Sequence, residues 1–351
     1  MPDINALMAI LQEHLPWHRA RLFMLCALIT AVLRLRTVNL ARLARTLHPK
    51  RKAQTNYRRL QRFFALFRFD FDDLAHLLLE LRGSTEPLVL VLDRTEWHFG
   101  GHTINLLVVG YLESGITVPL VWQELDKAGA SSEEERIALL ERLLPLIEPR
   151  RVEALVADRE FIGEEFFAWL CQQRFRFVIR IRKNARLHHR GRGTRRRADE
   201  VFAHLVEGQA QRLRDRHLVY DTLVYVIAAK QGKQPWILVT NARPVEALSL
   251  YGRRWGIETM FGALKSRGFD LEATHLTLGD RLEKLFGVLA LALVWAVRVG
   301  LWRCKQAPIV VKKHGRQAQS LFRYGLDYLQ EHLLNHNWAA LQPAFQVLSC
   351  T

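Results

Sequence analysis

Two apolar runs, each stopped by an aspartate, set the main constraint on this 351-residue chain. "PLVLVLD" (87–93) and "VEALVAD" (152–158) show no polar alternation, so each suits a strand covered on both faces. The segments around them agree. "INLLVVGYL" (104–112) and "ITVPLVWQEL" (116–125) flank a Glu-Ser-Gly turn and read as a hairpin. "SSEEERIALLERLLPLI" (131–147) opens with a serine cap and three glutamates, which suits the positive end of a helix dipole. "GEEFFAWLCQQ" (163–173) reads as helix and "FRFVIRI" (175–181) as strand. This order predicts an α/β fold, a mixed sheet with helices packed on it.

The texture differs on both sides of that region. Residues 1–80 carry apolar residues at helical spacing only and read as an all-helical domain. From Trp17 to Arg68 there are thirteen Lys and Arg and no acid. "VNLARLARTL" (38–47) reads as a short helix, which the proline of "HPK" (48–50) breaks. "KAQTNYRRLQRFFALF" (52–67) then resumes, with Tyr57, Leu60, Phe64 and Phe67 on its apolar side and Arg58, Arg59 and Arg62 on the other. Such a helix suits DNA contact, either as the second helix of a helix–turn–helix-like unit or within a basic bundle that reads no groove. Residues 183–244 contain strand-like "HLVYDTLVYVIAA" (217–229) and "PWILVTN" (235–241), and form a β-rich insertion. Its lip is basic: Arg174 to Arg197 holds eleven Lys and Arg and no acid. The Arg190–Arg197 run, including Arg195, Arg196 and Arg197, suits DNA backbone contact beside a site for polyanions, with a solubilising loop as the alternative, and His188 and His189 suit DNA contact more than a metal. One helix is expected at 245–265, with more helix at 281–303 and 316–337; 85–182 and 245–303 make one core, and 304–351 a C-terminal helical region.

Composition narrows the partner. With 51 Lys and Arg against 35 Asp and Glu, the net charge of +16 points to a polyanion, nucleic acid first and an anionic membrane surface second. Cys26, Cys171, Cys304 and Cys350 form no CxxC pair, which argues against zinc or a disulfide framework and for a reducing cytoplasm. The apolar runs 22–33 and 285–297 are shorter than the roughly 18–20 residues a membrane span needs and read as buried helices.

Asp93 and Asp158 each close a strand of the same candidate sheet, where open α/β sheets bind ligands. Either one alone could merely start a turn. A third acid crossing that edge would complete a carboxylate cluster of the kind that holds Mg²⁺ or Mn²⁺. "YGRRWGIETMFGALK" (251–265) supplies one. At about 100° per residue, Tyr251, Arg254, Glu258 and Lys265 fall within roughly 60° of one helix face. Arg253 and Trp255 fall off the stripe's centre.

That spacing, Tyr-x2-Arg-x3-Glu-x6-Lys, resembles the signature of a group of bacterial insertion-sequence transposases. "VLDRTEW" around Asp93 and "LVADREF" around Asp158 resemble the family's two aspartate segments, and "KKHGRQAQSLFRYGLDYL" (312–329) is similar to its C-terminal part. The resemblance spans roughly residues 85–330. It implies a ribonuclease-H-like core, a basic N-terminal domain on the transposon ends, and Asp93, Asp158 and Glu258 as catalytic ligands of two divalent metal ions. Tyr251, Arg254 and Lys265 would hold phosphates near the scissile bond. The family nicks one strand, makes a hairpin with the freed 3′-hydroxyl, opens it with water and joins the 3′ end to target DNA. Trp236, at the end of the insertion and 22 residues before Glu258, matches the tryptophan on which related enzymes stack a flipped base. The implied partners are double-stranded DNA, as terminal inverted repeats and target, and a second copy in a synaptic dimer. The chain is shorter than several relatives in the insertion and tail. A ribonuclease-H-like nuclease without strand transfer and a domesticated DNA-binding protein without chemistry stand as alternatives. Glu160 is expected to face solvent, and Glu96 and Trp97 to have local structural roles.

Overall fold

The computed structural model describes residues 2–48, 50–82, 84–189, 195–232, 234–313 and 315–349. The chain opens with α1 (Pro2–His14), α2 (Arg19–Leu35), α3 (Leu40–Leu43), α4 (Ala53–Leu66) and α5 (Phe71–Glu80). Strands β1 (Leu88–Phe99), β2 (His102–Glu113) and β3 (Ile116–Glu124) follow, then α6 (Glu133–Glu141), β4 (Val152–Ala157), α7 (Glu164–Gln172) and β5 (Phe177–Arg180). Short elements come next: β6 (Arg186–His188), β7 (Arg195–Arg197), α8 (Ala198–Val201), β8 (Ala210–Arg212) and β9 (His217–Val219). β10 (Thr222–Gln231) and β11 (Gln234–Thr240) lead to α9 (Ala247–Arg253), α10 (Trp255–Leu264), α11 (Gly279–Gln306), α12 (Leu321–Leu334) and α13 (Trp338–Gln346). The chain divides into two compact units: Met1–Ser84 with Glu96–Ile104 and Thr259–Thr351, and Thr85–Thr95 with Asn105–Glu258.

The first unit is built on α11, which packs against α2, α4, α5 and α12. The 13-residue apolar run at 285–297 therefore sits in a much longer helix of 28 residues. By length and composition α11 could cross a membrane, but 83% of its most apolar window is buried inside the protein. Its approach to α12 depends on two glycines. A Cβ at Gly300 would collide with the Leu321 carbonyl, and one at Gly325 with the Ala296 carbonyl. On α4 the apolar side is Leu60, Phe63 and Phe64, all buried, with Tyr57 and Phe67 half-buried. Phe63, absent from the predicted face, packs edge-on against Phe64 and Phe69.

The second unit holds a sheet that, among the described residues, has eleven strands in the order β3-β2-β1-β4-β5-β11-β10-β9-β6-β7, with β8 on β10. β1, β4 and β5 run parallel; β5 to β11 and everything beyond is antiparallel. The strands of 183–244 thus continue the central sheet through β11 on β5. α6 begins with a complete capping box between Ser132 and Glu135. Helix α9 lies on β4, β5, β10 and β11, where Val156, Val178, Ile227 and Leu238 bury Ala247, Leu250 and Tyr251. Two expectations need correction. β1 does not end at Asp93 but runs to Phe99; what ends there is its pairing with β4, at Leu92↔Ala157. The expected single helix over 245–265 is two helices, because Arg254 N–H bonds to Tyr251 O and Ile257 N–H to Arg254 O, a tighter i→i+3 pattern that interrupts the ladder.

Replacing Gly325 with valine should cost about 3 kcal/mol of stability, since backbone on α11 cannot move aside as a side chain can. Gly252→Ala, exposed on α9 with open space around its Cβ, should instead raise stability by about 0.5–1 kcal/mol. Urea unfolding midpoints of both variants check the contrast, which fails if the two shift alike.

Candidate active site

The parallel register does the first part of the positioning. The β1–β4 ladder ends at Leu92↔Ala157 and the β4–β5 ladder at Ala157↔Ile179. Asp93, Asp158 and Arg180 are therefore the next row across three adjacent strands, each about 4.8 Å from its neighbour. Residues level in a parallel sheet share a face, so the two carboxylates stand side by side with a guanidinium next to them. The Asp158 Oδ1 lies 3.8 Å from the Arg180 Nη1.

The second part comes from α9 and α10. The Arg254 Nη1 donates to Asp93 Oδ2 at 2.9 Å, and its Nη2 donates to Glu258 Oε1 at 2.5 Å. One half-buried guanidinium, 13% exposed, thus ties the first aspartate to the glutamate. The Tyr251 hydroxyl donates to Asp158 Oδ1 at 2.9 Å. Its ring packs edge-on against Trp236, centroids 5.1 Å apart, with the Arg254 guanidinium 5.8 Å from the ring centre. Trp236 is half-buried near the start of β11, level with Ala229 of β10.

Burial and charge shift these groups in opposite senses. Burial pushes the Asp93 carboxyl up to about 6; the Arg94 N–H bond and Arg254 pull it down, while Asp158 and Glu160 push it further up. Burial also carries the Tyr251 hydroxyl up to about 12, with Asp158 adding to it. For Arg254, burial acts to lower its value, but the charges of Asp93, Tyr251 and Asp158 and the bond to Glu258 outweigh it. Its guanidinium is held charged against three acidic neighbours. No three histidine, cysteine, aspartate or glutamate side chains among the described residues stand close enough to hold one metal ion.

The second unit thus brings together Asp93, Asp158, Tyr251, Arg254 and Glu258, with Trp236 against the tyrosine. Lys265 belongs to the first unit. There it pairs with Glu272 at 2.9 Å, donates to Glu96 O at 3.3 Å and lies 5.2 Å above the buried Trp97 ring. Arg58, Arg59 and Arg62 lie on α4 of the first unit; Arg58 and Arg62 are exposed, while Arg59 is half-buried and lowered by that burial and by Arg51. Arg195, Arg196 and Arg197 form the exposed strand β7. Arg197 is held by Asp199 at 2.7 Å. Arg195 lines a pocket with Arg182, Arg186 and His188, and Arg197 another with Arg159, Arg182 and Lys183. The 190–194 part of the basic run lies outside the described residues.

Two residues escaped the sequence reading. Arg180 carries no local signal, because only the strand register shows that it shares a row with Asp158. Glu160, expected in solvent, is 29% exposed and holds the Arg94 guanidinium through both oxygens, at 2.7 and 3.2 Å.

Residues 84–295 match the family described as the transposase DDE domain. No curated protein matches the chain. Because the match covers more than half of the sequence, the chain belongs to the transposase DDE domain family, as an insertion-sequence transposase of the Asp-Asp-Glu type.

Proposed function

We propose that this transposase binds the ends of its mobile element, cuts them by phosphoryl transfer through a hairpin intermediate and joins the 3′ ends to target DNA. Asp93, Asp158 and Glu258 are the catalytic carboxylates. The observation that carries the reading is the convergence of all three on two neighbouring donors, Arg254 and Tyr251, where the parallel pairing of β1 and β4 stops.

The donor chemistry suits hard cations, although with Arg254 between Asp93 and Glu258 the three carboxylates do not stand as one three-ligand cluster. Three carboxylates offer oxygen ligands, and two of them already share one positive charge, that of Arg254. DDE transposases use divalent metal ions, and here two Mg²⁺ or Mn²⁺ would be held by Asp93, Asp158 and Glu258. When bound, such ions supply a polarised water or 3′-hydroxyl and a counter-charge for the leaving oxygen. The chain's own groups do the rest. Arg254 keeps Asp93 and Glu258 together without a cation, and its fork is suited to a phosphate oxygen of the cut strand. Tyr251 orients Asp158. Trp236, half-buried beside Tyr251, offers a ring on which an unstacked base can rest. Lys265 completes the phosphate contacts.

The helical residues 1–80, with Arg58, Arg59 and Arg62, bind the terminal repeats, while Arg195, Arg196 and Arg197 of a β-rich insertion over 183–244 hold the backbone. The core spans 85–182 and 245–303, with a helical region at 304–351. The protein acts in the bacterial cytoplasm as a synaptic homodimer on double-stranded DNA, and the net charge of +16 supports a polyanionic partner.

Asp93→Ala, Asp158→Ala and Glu258→Ala should each lower Mg²⁺-dependent nicking of an end-containing duplex by about a thousandfold or more. Unchanged cleavage in any of them sinks that acid's role. A pre-cut end should still be joined to plasmid DNA by the wild type; cutting without joining would favour a nuclease. Trp236→Ala should slow hairpin formation at least about tenfold while sparing the first nick, as resolved on denaturing gels; equal loss of both steps counts against base stacking.

The metal-free protein should also show its acids by pH. The Asp93 carboxyl sits at about 6 in the folded chain against 3.8 ordinarily. A raised folded value favours the protonated folded state, so this group's contribution is intact below about pH 4 and is lost as pH rises through about 6. Asp93→Asn should flatten the fall in unfolding midpoint across that window, and the wild type should bind Mn²⁺ more weakly as pH drops below about 6. Parallel pH profiles for the two proteins would exclude Asp93 as the titrating group.

A further inference from the structure

We infer that Arg94 and Glu160 are positioning residues, an ion pair that fixes how Asp93 and Asp158 face each other. The inference rests on the proposed role of those two acids as metal ligands. Arg94 and Glu160 have no role in the mechanism proposed above. Yet each stands beside a catalytic aspartate in sequence: Arg94 directly follows Asp93, and Glu160 is two residues past Asp158.

The geometry is that of a strut. The backbone N–H of Arg94 donates to Asp93 Oδ1 at 2.8 Å, so the position of Arg94 sets the orientation of the carboxylate before it. The guanidinium of Arg94 is then fixed at its far end. Its Nε and Nη2 donate to the two oxygens of Glu160 at 2.7 and 3.2 Å, the forked arrangement that constrains direction as well as distance. Its Nη1 donates to Asn105 Oδ1 at 3.2 Å. Asn105 is fully buried on β2, and its amide nitrogen donates to Lys127 O at 2.8 Å and Gly129 O at 2.9 Å. All of its polar atoms are engaged, so it cannot turn without breaking a bond.

The other end of the strut is anchored as firmly. Glu160 lies in a turn closed by Phe161 N–H on Asp158 O at 2.9 Å. Just beyond it, buried Arg136 of α6 donates to Ile162 O at 3.0 Å, with its guanidinium 5.4 Å from the Phe161 ring centre. Arg136 also bonds both oxygens of Ser131. The β-ladder alone sets the spacing of β1 and β4 but stops one residue short of the acids. The Arg94–Glu160 pair ties together the two segments that leave that ladder, at the level where the acids stand.

The test uses the full-length protein and Mn²⁺ alone, by calorimetric titration, beside nicking kinetics on an end-containing duplex. Outer groups that orient metal ligands typically change affinity 10- to 100-fold, roughly, when removed. Glu160→Gln should therefore raise the Mn²⁺ dissociation constant about tenfold or more. It should lower kcat while leaving KM for the DNA unchanged. Exchanging the two charges, Arg94→Glu with Glu160→Arg, should recover at least part of the lost affinity. Arg94→Lys, which keeps the charge and loses the fork, should give an intermediate loss, and it is read in place of Glu160→Gln if that variant does not fold. Wild-type Mn²⁺ affinity in Glu160→Gln, or in Arg94→Lys where that variant is read, overturns the inference. So does a charge exchange no better than Glu160→Gln, which would make Glu160 itself a ligand. If the wild type binds Mn²⁺, Asp93→Ala does not and Glu160→Gln binds as the wild type, only the strut is lost. If the wild type binds no Mn²⁺, the reading of the acids fails and takes the strut with it.

Discussion

Parallel pairing of β1, β4 and β5 leaves Asp93, Asp158 and Arg180 as the next row beyond the last rung, and the surrounding groups answer to that row. Two carboxylates held about one strand spacing apart repel each other, and burial makes the repulsion harder to screen. The effect shows at Asp93, which is carried up to about 6 by burial and by the charges of Asp158 and Glu160 against the pull of Arg254. A row of this kind persists only if donors meet it. Arg254 and the Arg94 N–H meet Asp93, while Tyr251 and Arg180 meet Asp158. The same donors define where a stronger counter-charge would be welcome.

The break between α9 and α10 follows from the same demand. Tyr251 must sit deep against the sheet, where β4, β5, β10 and β11 bury its ring, to reach Asp158. Glu258 must lie on the first turn of a helix that approaches β2. Gly256 allows that approach, because a Cβ there would run into the Leu112 side chain. Arg254 stands at the junction, four residues before Glu258, so its fork spans from the sheet to the new helix. The one-stripe expectation took a straight helix, whereas the break falls between Tyr251 and Glu258. Tyr251 bonds Asp158, Arg254 bonds Asp93 and Glu258, and Lys265 bonds Glu96 and Glu272 beside the Trp97 ring.

Much of this was legible in the residues. Unalternating apolar runs announced β1 and β4, a serine cap with three glutamates announced α6, and the spacing of Tyr251, Arg254, Glu258 and Lys265 announced helix, though not its break. What stayed hidden depends on register or on long-range pairing. Arg180 is one more arginine in a basic stretch until the β4–β5 ladder sets it level with Asp158. Glu160 reads as a solvated turn residue because its partner, Arg94, is 66 residues away in the chain. The extent of β1 was missed because its second half continues past its last pair with β4, where charged residues interrupt the apolar run. The helix break at Arg254 was missed because nothing in "YGRRWG" interrupts helical spacing; only the bonds at Tyr251 O and Arg254 O reveal it.

The sheet also carries the strands of 183–244 up to the row of acids. β11 pairs with β5, and β10 with β11, so residues 222–240 are two more strands of the sheet that carries Asp93 and Asp158. That continuity puts Trp236 edge-on to Tyr251, although 15 residues separate them in sequence. It also sets Leu238 level with Arg180, the guanidinium that faces Asp158. An insertion tethered only by flexible linkers would leave its tryptophan free to wander by several ångströms. Here its position is set by consecutive ladder bonds that run from β10 through β11 to β5.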